Sequence, residues 1–401
     1  MTATNFFENP ILNSPYERPE EHWELDPLTG HPTGRAIGKR RLSETITPIP
    51  KSRKQRKKTA QASLDLEYSG EYSDDRQKYK VNETIMAVRN LVDRWRMEPN
   101  PSKWNVTPVT ERLLKHWRKE DWQDRRPFFC QVEAVETMIW LTEVAPNTNT
   151  GKRLISDLES TSREANRLLS RLALKLATGA GKTTVMAMLI AWQTLNKARI
   201  KKSERFTNGF LIVAPGITIK DRLRVLLPND PDNYYTNHQI VPGDMLEEMQ
   251  RAKIVITNYH AFKLRERLNL PKGTKQLIQG RGPEMQTLET EGQMIQRVMP
   301  DLMGMKNIMV LNDEAHHCYR EKPEPEEDGY TEDDLKGDEK KAAKDENEAA
   351  RLWISGLEMV QEKLGINKVV DLSATPFFLK GSGYREGTMF PWVVSDFSLM
   401  D

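Results

Sequence analysis

The hydrophobic pattern changes character along the chain. Over roughly 1–80, proline, glycine, charged and polar residues mix without helical or strand periodicity, which predicts a mobile arm. Between Asn82 and Met97 the apolar positions Ile85, Val88, Leu91, Val92 and Trp95 recur at helical spacing, and 109–117 repeats the pattern. These segments predict packing helices, a helical extension over 81–125. From Arg126 onward, short runs dominated by apolar residues take over at 172–176, 210–213, 254–256, 308–311 and 368–372, broken only by Lys175, Lys368 and Asp371. Runs of this length suit strands covered on both faces, so 126–401 predicts an α/β unit around a parallel sheet. Two polar stretches, about 264–305 and 321–348, interrupt the alternation and predict loop insertions. The first is a candidate DNA or partner contact; the second is acidic and reads as a solvated surface.

Composition narrows the choice. Lys and Arg total 60 against 58 Asp and Glu, a net charge of +2, which excludes a wholly basic nucleic-acid coat protein. Any nucleic-acid contact must then come from local patches. One such patch is the basic block at 35–58, including Lys39-Arg40-Arg41, which reads equally as a phosphate-binding arm or a solvated tail. Only two cysteines, Cys130 and Cys318, argue against a disulfide framework and favour a reducing cytoplasm. No apolar run approaches the roughly 20 residues needed to cross a bilayer.

The chemistry concentrates in Lys175-Leu176-Ala177-Thr178-Gly179-Ala180-Gly181-Lys182-Thr183-Thr184. An apolar strand feeds a glycine-containing turn that opens a helix, so free N–H groups and the positive helix end converge on an anion. Thr178, Gly179, Ala180 and Gly181 would form the cradle and Thr184 would follow it. Lys182 could reach the β- and γ-phosphates, and the Thr183 hydroxyl could ligate Mg²⁺. The first glycine of the general P-loop pattern is replaced by Leu176. Further along, the apolar run 308–311 ends in Asn312-Asp313-Glu314-Ala315-His316. Carboxylates at a strand's C-terminal edge would sit beside the phosphate loop, with Asp313 holding Mg²⁺ and Glu314 acting as general base. His316 joins Lys182, Asp313 and Glu314 in the candidate catalytic set, though alone it would read as structural, and the adjacent His316-His317-Cys318 has no second ligand cluster at finger spacing to make a zinc site.

At these residues the sequence resembles a superfamily-two helicase or translocase of the Asp-Glu-Ala-His type. Arg126-Pro127-Phe128-Phe129-Cys130-Gln131 is similar to that family's adenine-recognising segment, with Gln131 offering donor and acceptor and Phe128 or Phe129 stacking or packing. Ser373-Ala374-Thr375-Pro376 is similar to its third motif, which couples hydrolysis to nucleic-acid movement. Pro215, Gly216 and Thr218, then Thr257 and Asn258, stand at strand ends where the family contacts the nucleic-acid backbone. The segments 175–183, 311–320, 371–378, 279–306 and 390–397 look like the Res subunits of type III restriction enzymes and related restriction-like helicases.

The resemblance implies a P-loop NTPase fold, a RecA-like parallel sheet with helices on both faces. It also implies ATP and Mg²⁺ as ligands, DNA as a backbone-bound partner and a cytoplasmic hydrolase of a restriction-modification system. Such enzymes clamp ATP between two RecA-like lobes and carry a nuclease module, while a separate modification (methyltransferase) subunit recognises sequence. Only one lobe is expected within these 401 residues, with weak hydrolysis on its own. Two other readings stay open: a non-hydrolysing, ATP-dependent DNA or protein interaction module, and an RNA helicase lobe.

Overall fold

The computed structural model describes residues 10–26, 32–44, 82–122, 125–265, 288–322, 324–326 and 329–401, with the side chains of 217, 218 and 220 outside that description. The basic stretch 51–58 and most of the 264–305 segment therefore lie outside the described residues.

Six strands form one parallel sheet: β3 (Arg171–Leu176), β4 (Gly209–Ala214), β5 (Lys253–Asn258), β6 (Ile308–Asp313), β7 (Ile366–Ser373) and β8 (Val393–Phe397), in the order β5-β4-β6-β7-β3-β8. β1 (His22–Leu25) and β2 (Pro32–Ile37) make a separate antiparallel pair. The apolar runs are explained by burial on both faces. In β4, Phe210 and Ile212 join the core beneath α3 (Phe129–Ile139) and α5 (Lys182–Arg199), whereas Leu211 and Val213 face Trp353, Ile354 and Leu357 of α8 (Gly337–Leu364). α7 (Glu291–Val298) closes the second face with Met294 and Ile295.

The helical extension is part of the same core. α1 (Glu83–Arg96) is capped by the Asn82 side chain, which accepts from the Ile85 N–H, and α2 (Pro108–Arg118) is capped by Thr107. Val88, Val92, Leu113, Leu114 and Trp117 pack into one cluster with α5. Between them, the buried Glu143 carboxylate accepts from the Thr107 N–H, the Thr110 hydroxyl and the Trp192 indole at 2.7–2.8 Å. Burial pushes that carboxyl up from its usual range.

Two expectations need correction. The described part of the N-terminal arm is bound to the body: Arg40 is 7% exposed and its guanidinium pairs with Glu133 of α3 at 2.6 and 2.7 Å. Arg41 and Ser43 both donate to the Asp396 carboxylate of β8, at 2.8 and 2.7 Å. Lys39-Arg40-Arg41 is thus no free phosphate patch in its last two members, because internal carboxylates already neutralise them. The acidic stretch is likewise only in part a loop. From Gly337 it is helical, since Ala343, Asn347 and Ala350 recur at helical spacing on the buried side of α8 while its charges face outward.

A pH dependence follows from the arm's latch. Burial alone would raise the Glu133 carboxyl, but Arg40, with Arg96 and Arg89 beyond it, holds it down at about 2. A carboxyl depressed from about 4.5 contributes stability that is complete above its unfolded pKa and fades as pH falls toward 2. Replacing Glu133 by Gln is expected to remove about 3 kcal/mol at pH 7 and to flatten the acid limb of urea-unfolding stability between pH 5 and 2. An unchanged acid limb would count against the latch.

Candidate functional site

β3 ends at Leu176 and the chain turns through Ala177, Thr178, Gly179 and Ala180 before α5 begins at Lys182. Gly179 and Gly181 both stand at φ +83°, in the left-handed region that favours glycine. A Cβ on Gly181 would run into the Gln131 amide, while nothing lies within 4 Å of the Cβ direction at Gly179, so that backbone faces open space. Gln131 itself is 5% exposed and spans the two elements: its Nε2 donates to the Ala180 carbonyl at 2.9 Å and its Oε1 accepts from the Phe128 N–H at 3.0 Å. Its amide first positions the turn, leaving one N–H and one lone pair for anything bound there.

β6 lies two strands from β3 and delivers Asp313 at its C-terminal end, 9% exposed. Burial and the neighbouring Glu314 push the Asp313 carboxyl up to about 6. Glu314 follows at φ +50°, a left-handed position unusual for a side-chain-bearing residue, and this aims its carboxylate back across the loop. Its Oε1 meets the Lys182 Nζ at 2.8 Å. Residues separated by more than 130 positions in sequence are thereby brought into one ion pair.

The third segment joins from β7. The His316 Nδ1 lies 3.0 Å from the Ser373 hydroxyl, whose oxygen also accepts from the Thr375 N–H at 3.0 Å. Burial and His317 push His316 down to about 4, so its imidazole is neutral at pH 7 and the pair is a hydrogen bond between neutral groups. Lys182, Asp313, Glu314, His316 and Ser373 therefore converge at one sheet edge, with Ala374 and Thr375 half-buried beside them.

The strand-end residues proposed for backbone contact are placed unevenly. Pro215 and Gly216 follow β4, and Asn258 sits opposite Ala214 in the register, at the same C-terminal edge as the turn 177–181. Thr257 is only 7% exposed and its hydroxyl is turned toward the Asn258 carbonyl at 3.4 Å, so in this structure it does not present a donor to an outside phosphate. The Thr218 side chain lies outside the description.

Sequence reasoning missed the layer behind the site. Arg171 and Asp371 are both fully buried and paired at 2.7 Å, and the same guanidinium donates to the Asn166 side chain and the Cys318 carbonyl. Asp371 further accepts from Asn312 and from the Trp392 indole, both at 2.8 Å, and Trp353 donates to Asn312 at 3.2 Å. The signal was present: a carboxylate inside the apolar run of β7 and an arginine opening β3 each demand a buried partner.

The pattern of the family described as type III restriction enzyme, res subunit, matches residues 126–378, more than half of the chain. The chain belongs to this family. No curated protein matches it. As a Res-family domain it carries the RecA-like α/β fold of the helicase and ATPase superfamily, a hydrolase class, and the match includes Gln131, Lys182, Asp313, Glu314, His316 and Ser373. Among the described residues no helix is long and apolar enough to cross a membrane.

Proposed function

We propose that this Res-family lobe binds Mg·ATP at the loop 178–184 and, in the complete enzyme, couples its hydrolysis to translocation along DNA. The observation that carries the reading is the Lys182–Glu314 ion pair, which joins the phosphate loop to the Asp-Glu-Ala-His segment. The loop fits a polyphosphate: two glycines at positive φ, one facing open space, lead into the N-terminus of an 18-residue helix. Lys182 would exchange its carboxylate partner for the β- and γ-phosphates. Mg²⁺ would be held by Thr183 and Asp313 together with phosphate oxygens, and it supplies charge neutralisation across those oxygens.

Released from Lys182, Glu314 would orient and deprotonate the attacking water. Gln131 would hold the loop and present its remaining donor and acceptor to the adenine edge. His316 and Ser373 would transmit the state of the nucleotide to the third motif, and Pro215, Gly216, Thr218 and Asn258 would follow the DNA backbone. The second lobe, the nuclease module and a modification subunit belong to this proposal as partners, and a cytoplasmic location is its natural setting.

The discriminating experiment measures ATP turnover with single-stranded DNA, duplex DNA and RNA. Stimulation by DNA is expected, and stimulation by RNA alone would overturn the DNA reading. Binding of ATP with no turnover under any nucleic acid, also after supplying a second lobe, would favour the silent interaction module instead. Within the same assay, Ser373→Ala is expected to reduce the DNA-stimulated rate about tenfold with nucleotide affinity unchanged, since it removes one hydrogen bond of the His316 link worth about 1 kcal/mol or somewhat more. Equal losses in affinity and rate would place Ser373 in nucleotide binding rather than coupling.

A further inference from the structure

We propose that the sheet edge opposite the phosphate loop carries a second site, which takes a small organic anion with an apolar body. A cavity of about 440 Å³ opens there between α4 (Asn149–Ala165), the turn 166–170 and the first residues of β3 and β7. Its size falls within the range of small-molecule pockets, roughly 300–1,000 Å³. β3 runs six residues from Arg171 at this cavity to Leu176 at the phosphate loop, so the two sites are separated by the length of the strand, roughly 20 Å.

The lining has two chemistries. Leu141, Ile155, Leu158 and Leu172 form an apolar wall. Arg163, Arg167, Arg205 and Lys368 bring four cations, against the single carboxylate of Glu159. Glu159 is already engaged by Arg163 at 3.4 Å. Arg171, also at the wall, is neutralised by Asp371. Among the described residues, Arg167, Arg205 and Lys368 have no carboxylate within ion-pair distance; the Lys368 ammonium donates to the Ser170 hydroxyl at 2.8 Å. Glu159 acts on Lys368 and Glu143 on Arg205 from beyond ion-pair distance, so the concave wall focuses an excess of positive charge that they offset in part.

An independent observation points to an occupant. Ser162 lines the same cavity, is 4% exposed, and its hydroxyl has no hydrogen-bond partner. Buried hydroxyls are nearly always paired, because an unpaired one forfeits its hydration without return. As placed, the oxygen is closed off from the cavity its residue lines, and a turn about Cα–Cβ would bring it to an occupant. An anionic head among Arg167, Arg205 and Lys368, with its body against the leucine and isoleucine wall, meets both requirements, and a polar oxygen of the same molecule would satisfy Ser162.

The test uses 1-naphthyl phosphate as the probe, titrated calorimetrically into the Lys182→Ala chain so that the phosphate loop is silent. One-to-one binding is expected, at least tenfold tighter than for 2-naphthalenemethanol or for inorganic phosphate, and unaffected by ATP. Arg167→Gln removes an exposed charge without touching the core, and together with Lys368→Met it is expected to weaken binding at least tenfold. Ser162→Ala should weaken it to a smaller degree. The proposal is overturned if the neutral alcohol binds equally well, if ATP displaces the probe, or if Arg167→Gln, which leaves the fold intact, does not change the affinity.

Discussion

Lys182→Ala is expected to lower affinity for Mg·ATP about 100-fold, while Glu314→Gln leaves that affinity unchanged or raises it. The two outcomes differ in sign because the residues play opposite parts in one ion pair. In the proposed function the Lys182 ammonium would be the charge-assisted donor to the phosphates, and bonds of that kind contribute about 1.5–3 kcal/mol each. Glu314 competes for the same ammonium at 2.8 Å in the structure described here, so its neutralisation frees Lys182 for the nucleotide. Hydrolysis should respond the other way: loss of a positioned general base typically costs about 10²–10⁴ in rate. Fluorescence titration with an N-methylanthraniloyl ATP analogue reads the first effect, and phosphate release in the presence of DNA reads the second. If Lys182→Ala binds the analogue as tightly as the native chain, the phosphate-loop assignment fails. If Glu314→Gln binds it tenfold more weakly, the exchange of partners does not occur.

Arg171→Leu is expected to destabilise the fold by about 3–5 kcal/mol, the largest single effect outside the nucleotide site. Removing one member of a buried pair strands the other charge away from water. Asp371 would keep only the neutral donors Asn312 and Trp392. Urea unfolding of Arg171→Leu, Asp371→Leu and the double variant forms a cycle that isolates the pair. The double variant should recover part of the loss, because replacing both charges by apolar groups leaves no orphan. Asp371 and Ser373 lie two residues apart in β7 and so share a face of the sheet, so the single variants should also disturb the His316–Ser373 contact. A single variant that melts with the native chain would remove Arg171–Asp371 from any supporting role.

Much of the fold was legible without coordinates because its signals are local. An apolar run bounded by turns fits a strand covered on both faces, and Ile85, Val88, Val92 and Trp95 trace the buried stripe of α1. The glycines at 179 and 181 marked the turn between strand and helix, and both stand at positive φ. Legibility failed where a residue's partner is distant. Arg40 and Arg41 look like solvated charge in a polar stretch, and only Glu133 and Asp396, about 90 and 355 residues away, make them internal. The acidic segment misled for a related reason: its charges fit a loop and an exposed helix face equally, and the small residues Ala343 and Ala350 carry too little apolar signal to decide between them.

By itself, then, the sequence determined the α/β alternation, the order of the strands along the chain and the segments that carry the family resemblance. These depend on spacing within a few residues, where backbone geometry leaves little freedom. Tertiary structure alone decided that Glu314 bridges to Lys182, that Gln131, expected to offer its amide to adenine, holds the Ala180 carbonyl, that Thr257 turns to its neighbour's carbonyl, and that Arg171 and Asp371 meet in one buried pair. All but the Thr257 contact, which joins neighbours within one strand, are pairings between segments far apart in the chain. Charge pairing acts through space, and a parallel sheet with crossovers places distant segments side by side in an order that no local pattern records.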